Sequence, residues 1–529
     1  MKRALVLTFA LTLVFGLMAV GQVKSLNWNL GTEPPSLDPN IATDTTSIQV
    51  IQALFLGLTD FDDNTMAVVP ELATSWENSE DGLTWTFNLR DDVVWTRTGR
   101  KVTAHDVVYS VKRTLDPATG SSYAYVLWII EGAQAFNNEE GGTAEGVGVR
   151  AVDDYTVEFT LIQPAGYFPS IAGLWVCRPL PRFIVDEYGD DWTKPENIAT
   201  NGAYELGVWV HDSHLVLYKS PTFYNADNVN IDQVFCYMIE EASTAMLMYE
   251  AGALDSTAPP LEDMDRVKTD PVLSQELTMA PDLCTYYYGF NNEKEPFDDP
   301  LVRKAFASAI DRQSLIDFIL KGGQSPAQTF TCPGIFGHVD GVAEGIGYPY
   351  DIEAAQGYLA EAGYPNGEGF PEVTLMHNTS EGHSKIAQFI AQSFMDTLNV
   401  TVNIVNQEWK VYLETCRTDC PQIYRMGWCA DYPDANNWVN EVFHSASGSN
   451  YANYTSPDYD ALVEQAARAT DPAARLDLYR QAETLLCDVD AAIAPIYFYT
   501  IVNLTKPYVV RTFAPLGGEH WDQWDILPH

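Results

Sequence analysis

Basic residues are scarce in this 529-residue chain: 30 Lys and Arg stand against 72 Asp and Glu, a formal charge of -42. The acids are spread along the chain rather than gathered in a tail, so the whole surface repels phosphate backbones and nucleic acid is excluded as a partner. After the N-terminus no apolar run approaches the roughly 20 residues that span a bilayer. Low-complexity tracts and internal repeats are missing. So are the common catalytic signatures, with no GxSxG, no HExxH and no phosphate-cradling Gly-rich loop. The sequence therefore calls for no cofactor and gives a hydrolase no positive support, although acids this abundant leave a two-carboxylate glycosidase formally open.

The first residues, MKRALVLTFALTLVFGLMAVGQVKS, set Lys2 and Arg3 before an apolar run from Ala4 to Val20 and small residues at Ala19 and Gly21. This is the pattern of a secretory signal peptide spanning residues 1 to 21, with the cut expected after Gly21. No Cys follows the run, which argues against a lipid anchor, and a mature protein that is soluble outside the cytoplasm is expected. Eight cysteines, at 177, 236, 284, 332, 416, 420, 429 and 487, permit disulfides in such a compartment. Zinc is the rival for CRTDC at Cys416 to Cys420, but that spacing is loose and has no companion pair.

A hydrophobic content of 46% and an aromatic content of 12% suffice for several cores. In LTWTFNL, Trp85, Phe87 and Leu89 alternate with polar residues, the period of a half-buried strand. AVDDYTVEFTL predicts a hairpin turning at Asp153 and Asp154, with Val157, Phe159 and Leu161 on one face. VTAHDVVYSVKRTLDP predicts a helix capped by Thr103 and stopped near Pro117. The later half leans helical. Pro300 opens a helix with Ala305, Ala309 and Ile310 on its stripe, and Gly363 ends another that buries Ala355, Tyr358, Leu359 and Ala362. Asp471 caps a third, with Leu476, Tyr479, Ala482 and Leu486 inward. Interleaved strands and helices define an α/β fold with mixed sheets in more than one lobe.

Several polar residues attract notice. His211 and His214 in HDSH offer two imidazoles, but in a charged stretch between strands they fit an exposed loop better than a metal site. His377 and His383 flank NTSEG and could serve as base or ligand; packed, neutral imidazoles are the commoner outcome. In GWCADYPDANNW, Asp431 lies among aromatic rings in a run too broken for a regular element. By itself it reads as a turn residue beside Pro433, a catalytic acid, or an anchor for a charged ligand.

Read together, PELATSWENSEDGLTWTFNLRDDVVW, VTAHDVVYSVKRTLDP, NIATNGAYEL, CTYYYGFNNEKEPFDDPLVRKAFASAIDR, NQEWKVYLETC and GWCADYPDANNW occur in the order found in the periplasmic oligopeptide-binding proteins of ABC importers, the extracellular solute-binding proteins of family 5. The chain resembles that family from about Leu26 to its C-terminus. The resemblance implies a two-lobed binding protein with an extra third domain. One discontinuous lobe would comprise residues 22 to 55, 182 to 283 and 499 to 529, the extra domain residues 56 to 181, and the second lobe residues 284 to 498. Ligand would lie between lobes hinged near 283 and 499. The expected ligand is an oligopeptide and the expected partner a membrane permease, with the receptor itself a monomer and not an enzyme. Oligosaccharides, metal chelates and opines are the alternative solutes, and a secreted hydrolase is the rival from another class.

The same resemblance assigns roles. Asp431 would pair with the peptide's α-amino group, and the backbone of Gly427 and Cys429 would add the peptide as a strand. Trp409 and Trp428 would line side-chain pockets, Tyr123 would close over the ligand, and His383 and Arg425 would meet its terminal carboxylate. Lys321 is a weaker match for that last role. Cys284 and Cys429 would form a disulfide, with Cys416 and Cys420 as a possible second pair. Three polar family positions differ here: Thr43 beside Asp44, Gly289, and Cys416 beside Arg417. These departures leave the preferred peptide length and composition open.

Overall fold

The computed structural model describes residues 23–516 and 518–529; the signal peptide expected over residues 1 to 21 lies outside the described residues. Among them no helix is long and apolar enough to cross a membrane.

Three larger sheets organise the chain. The first has four strands in the order Ser25–Asn29, Gln233–Tyr237, His214–Lys219 and Tyr204–Val210. A second, antiparallel sheet orders Ala73–Asn78, Thr84–Leu89, Thr156–Thr160 and Val149–Asp153. Trp85, Phe87 and Leu89 are buried along one strand while Val157 and Phe159 are buried along its neighbour, so alternation in the sequence becomes one apolar face. The helix Ala104–Leu115 packs on that sheet, and Asp106 reaches back to accept a hydrogen bond from the Thr103 amide (2.8 Å). Both sheets feed one continuous hydrophobic cluster, the core of the first lobe.

The second lobe is built on a mixed sheet in the order Ser256–Thr257, Ile493–Thr505, Leu277–Phe290, Ile423–Cys429, Val373–Asn378 and Val402–Gln407. Helices cover both faces. In the CTYYYGF run Tyr286, Tyr288 and Phe290 enter one apolar cluster, whereas Tyr287 enters the other. The four large side chains of this run are therefore all buried, because alternate residues serve opposite faces.

Leu277–Phe290 and its antiparallel partner Ile493–Thr505 are the longest strands. Leu504 belongs to a small core around Tyr249, while Tyr286 and Ile496 belong to the second lobe. Their ladder shifts register between Pro281 and Thr285, opposite Thr500 and Phe498. This irregularity sits where the strand pair leaves one core for another.

The helix Pro472–Thr484 starts on its expected cap, Asp471, and Asp299 and Asp351 cap Pro300–Ser308 and Ile352–Glu361 in the same way, each accepting from an amide of the first turn. One inward position is corrected. Leu476 is 43% exposed, because the buried face of Pro472–Thr484 runs through Arg475, Tyr479, Ala482 and Glu483 instead. Arg475 takes the place at the first turn, donating to Asp434 (2.9 Å) and to the Tyr479 hydroxyl (2.7 Å).

Candidate functional site

Strand Ile423–Cys429 is paired on one side throughout and on the other only in part. Cys284, Thr285 and Tyr286 face Cys429, Trp428 and Gly427 on the fully paired side. On the other side Val373–Asn378 pairs with Ile423 and Tyr424 alone. Beyond Tyr424 that edge opens onto a cavity of about 290 Å³. The Ala430 amide donates to the Leu283 carbonyl (2.9 Å), which sets the antiparallel alternation. Residues 426, 428 and 430 therefore turn their backbone groups to the partner strand, and residues 427 and 429 turn theirs to the open edge. Gly427 contributes by absence: a Cβ there would lie 3.2 Å from the Tyr499 hydroxyl and 3.4 Å from Arg425.

At one end of this edge stands Asp431. Its Oδ2 accepts from the Asn437 side chain (2.8 Å) and, across the cleft, from the Tyr123 hydroxyl (3.1 Å). Its amide donates to Asn437 Oδ1 (2.8 Å). The fully buried Asn437 is the hub of the turn, because it also donates to Glu441 (2.7 Å) and accepts from the Trp428 indole (3.3 Å). All the donors to Asp431 are neutral, and no ion pair involves it among the described residues. Burial accordingly pushes its carboxyl up to about 6, against the opposing hydrogen bonds from Asn437 and Tyr123. Such a group lacks a cation.

At the other end Arg425, 7% exposed, meets no carboxylate among the described residues. Its guanidinium lies over the Tyr286 ring at 4.5 Å and donates to Asn378 Oδ1 (3.2 Å) and to the Tyr499 hydroxyl. Its Nε is buried without a partner. A guanidinium of this kind is short of an anion.

Trp409 opens the helix Trp409–Asp419, stacks on Tyr412 at 5.9 Å and reaches the cavity wall. Trp428 reaches it as well and stacks on Tyr123 of the opposite lobe, 6.2 Å away and 5° from parallel. His383 does not line this cavity. It sits in the first turn of Glu381–Leu398, beside the Tyr286 hydroxyl (3.4 Å), and burial, with Arg425 and His377 nearby, holds it neutral. Lys321 is elsewhere, paired with Asp265 at 2.5 Å. His211 and His214 also part company: one meets Glu33 (2.8 Å) and the other stacks on Phe235.

Cys284 and Cys429 face each other across the ladder and are bridged, Cα to Cα 4.0 Å, two residues before Asp431. Cys416 and Cys420 are corrected: both are free and buried. Cys416 lies in the last turn of Trp409–Asp419 and Cys420 is its non-helical C-terminal cap, and both enter the same core as unbridged thiols. At position 289 no side chain has room, since a Cβ would fall 2.0 Å from the Tyr424 ring.

The sequence reading did not single out Asn437, Tyr499, Asn378 or Asp282 as site residues. Asn437 lies inside the quoted GWCADYPDANNW stretch, and Asp282 lies two residues before Cys284; their positions in those stretches were the available signal.

An open strand edge between two lobes, with an unpaired acid at one end and an unpaired base at the other, defines a ligand-binding cleft rather than a structural seam. The chain belongs to the bacterial extracellular solute-binding proteins, family 5, whose model matches residues 67–450. It is 36% identical over 507 residues to the periplasmic oligopeptide-binding protein OppA of Escherichia coli, covering 93% of this chain and 90% of that one. The solved Haemophilus influenzae OppA in complex with the peptide RPPGFSPFR superposes with a TM-score of 0.89 at 33% identity, covering 96% of this chain and all of the other. The Escherichia coli murein tripeptide-binding protein MppA, 32% identical, covers 96% of this chain and 99% of its own. It gives a TM-score of 0.90 in one structure and 0.65 in its unliganded open form. The lobes described here are therefore not arranged as in that open form.

Proposed function

We propose that this protein is an extracytoplasmic receptor that captures oligopeptides between its lobes and delivers them to an ABC importer, without chemically changing them. One observation carries the reading. The free edge at Gly427 and Cys429 offers main-chain hydrogen bonds to an extended chain, while Asp431 and Arg425 lack the cation and the anion that a peptide's termini carry. Main-chain pairing supplies affinity without regard to side chain, and the two charges fix direction. The peptide-binding relatives support the same ligand class, and their periplasmic names support export of this chain with removal of residues 1 to 21.

The domain division proposed from sequence is retained: residues 22 to 55, 182 to 283 and 499 to 529 as one lobe, 56 to 181 as the extra domain and 284 to 498 as the second lobe. The register shift between Pro281 and Thr285 supports a hinge there. Closure would bring Tyr123 onto Asp431, and an importer would read the closed shape.

Native mass spectrometry of the purified protein, followed by incubation with a defined peptide mixture, tests the proposal. Short peptides bound and recovered intact are the expected result. New cleavage products, or a co-purified ligand that is not a peptide, would overturn it.

A further inference from the structure

The charges on the cavity wall do not balance. Three carboxylates, Asp44, Asp282 and Asp431, face a single cation, Arg425. A peptide with neutral side chains brings one ammonium and one carboxylate. These match Asp431 and Arg425 and leave Asp44 and Asp282 without compensation.

Neither remaining acid meets a cation among the described residues. Asp44 is 5% exposed; its Oδ1 caps the helix Thr45–Leu54 through the Ser47 amide (3.0 Å), but its Oδ2 is buried with no hydrogen-bond partner. Asp282 is half-buried and has no ion pair and no side-chain donor among the described residues. Burial pushes its carboxyl up to about 6, and Glu519 nearby adds to the shift against the Leu283 amide. Asp282 also lies in the wall of an adjoining cavity of about 310 Å³. That cavity has two cations of its own, and both are turned elsewhere: His520 engages Asp60 and Asp63 (3.4 and 2.6 Å), and Arg178 donates to the Gln52 and Phe55 carbonyls, which leaves room for a long side-chain stem beside Asp282. An ionised carboxylate screened from water needs a cation or a set of donors, and here the ligand is the available source.

We infer that, beyond main-chain capture, the cleft selects peptides carrying a basic side chain, whose ammonium or guanidinium pairs with Asp282 while Asp44 adds to the attraction. The inference rests on the peptide-receptor reading and names its substrate class. Specificity of this kind is a difference between affinities, created by leaving a buried group unpaired when the wrong ligand binds.

Isothermal titration of the full-length mature protein at pH 7.5 tests it, using tripeptides of alanine with lysine placed at each position in turn. The control at every position is norleucine, which keeps the stem and removes the charge. At one position or more, lysine is expected to bind at least about tenfold more tightly than norleucine, and glutamate is expected to bind weakest of the three. In Asp282→Asn the lysine-to-norleucine ratio is expected to fall toward one. Equal affinities for lysine and norleucine at all three positions, or an unchanged ratio in Asp282→Asn, overturn the selectivity while leaving the receptor reading intact. The wild-type comparison stands even if the variant fails to fold. Failure of every tripeptide to bind would instead sink the receptor reading and this selectivity with it.

Discussion

The two ends of the open strand edge treat charge in opposite ways. Asp431 is held by neutral donors, Asn437 and Tyr123, and its proton affinity rises until it titrates near 6. Arg425 rests on the Tyr286 ring and on oxygen acceptors from Asn378 and Tyr499, which stabilise a guanidinium without neutralising it. A carboxylate in a dry place escapes its cost by taking a proton, whereas a guanidinium holds its charge throughout the working pH range. The acid end is thus the adjustable one and the base end the fixed one.

The largest test of this contrast is Asp431→Asn. Free-amine peptides should lose about 2 to 5 kcal/mol of binding, and N-acetylated peptides far less; equal losses measured by calorimetry would remove Asp431 from the ammonium. Next comes the bridge beside it. Cys284→Ser with Cys429→Ser should lower unfolding free energy by about 2 to 4 kcal/mol in denaturant titrations. The double variant should also weaken free-amine peptides more than it weakens recognition of the carboxylate end, because Cys429 is two residues from Asp431 and four from Arg425. At the fixed end, Arg425→Gln should cost about 1.5 to 3 kcal/mol for peptides with a free C-terminus and little for their amides.

The pH response follows from the sign of the Asp431 shift. Unliganded, its carboxyl sits near 6, above the ordinary 3.8, so the native state holds this proton more tightly than the unfolded chain. The stability it contributes is full below about 3.8 and is lost as pH rises through about 6. An arriving ammonium favours the ionised form. Binding near pH 6 should therefore release protons, and free-amine affinity should fall by up to about tenfold per unit as pH drops below 6. Calorimetry in buffers of different ionisation enthalpy checks the release, and N-acetylated peptides should lack it. The smallest effect expected is that of Tyr123→Phe, about 0.5 to 1.5 kcal/mol from one hydrogen bond.

How far this contrast was legible beforehand depends on the residue. Buried strands announced themselves through the alternation of Trp85, Phe87 and Leu89, and helix starts through Pro300 and Asp471, because those signals are local. Asp431 was locally ambiguous, a turn residue as readily as an anchor, and only its place within a longer family pattern raised the second reading. The open edge was not legible in the local sequence, where only the family resemblance implied a strand added at Gly427 and Cys429, since it exists because Val373–Asn378 stops pairing after Tyr424, a fact of strand registry. Asn437 and Asp282 were missed for a related reason: Asn and Asp are common in turns, and nothing local reveals which ones face a cavity. Leu476 failed in the other direction, where a correct helical period met a core edge that admits Arg475 instead.

The stacked, nearly parallel pair of Trp428 and Tyr123 bridges the lobes, and the indole also hangs from the Asn437 hub. Separation of the lobes must expose that ring to solvent and strip away its stacking partner. The protein thus contains its own optical gauge, and the emission difference between wild type and Trp428→Phe isolates this ring from the other twelve of its thirteen tryptophans. Opening could be followed in real time with no attached dye.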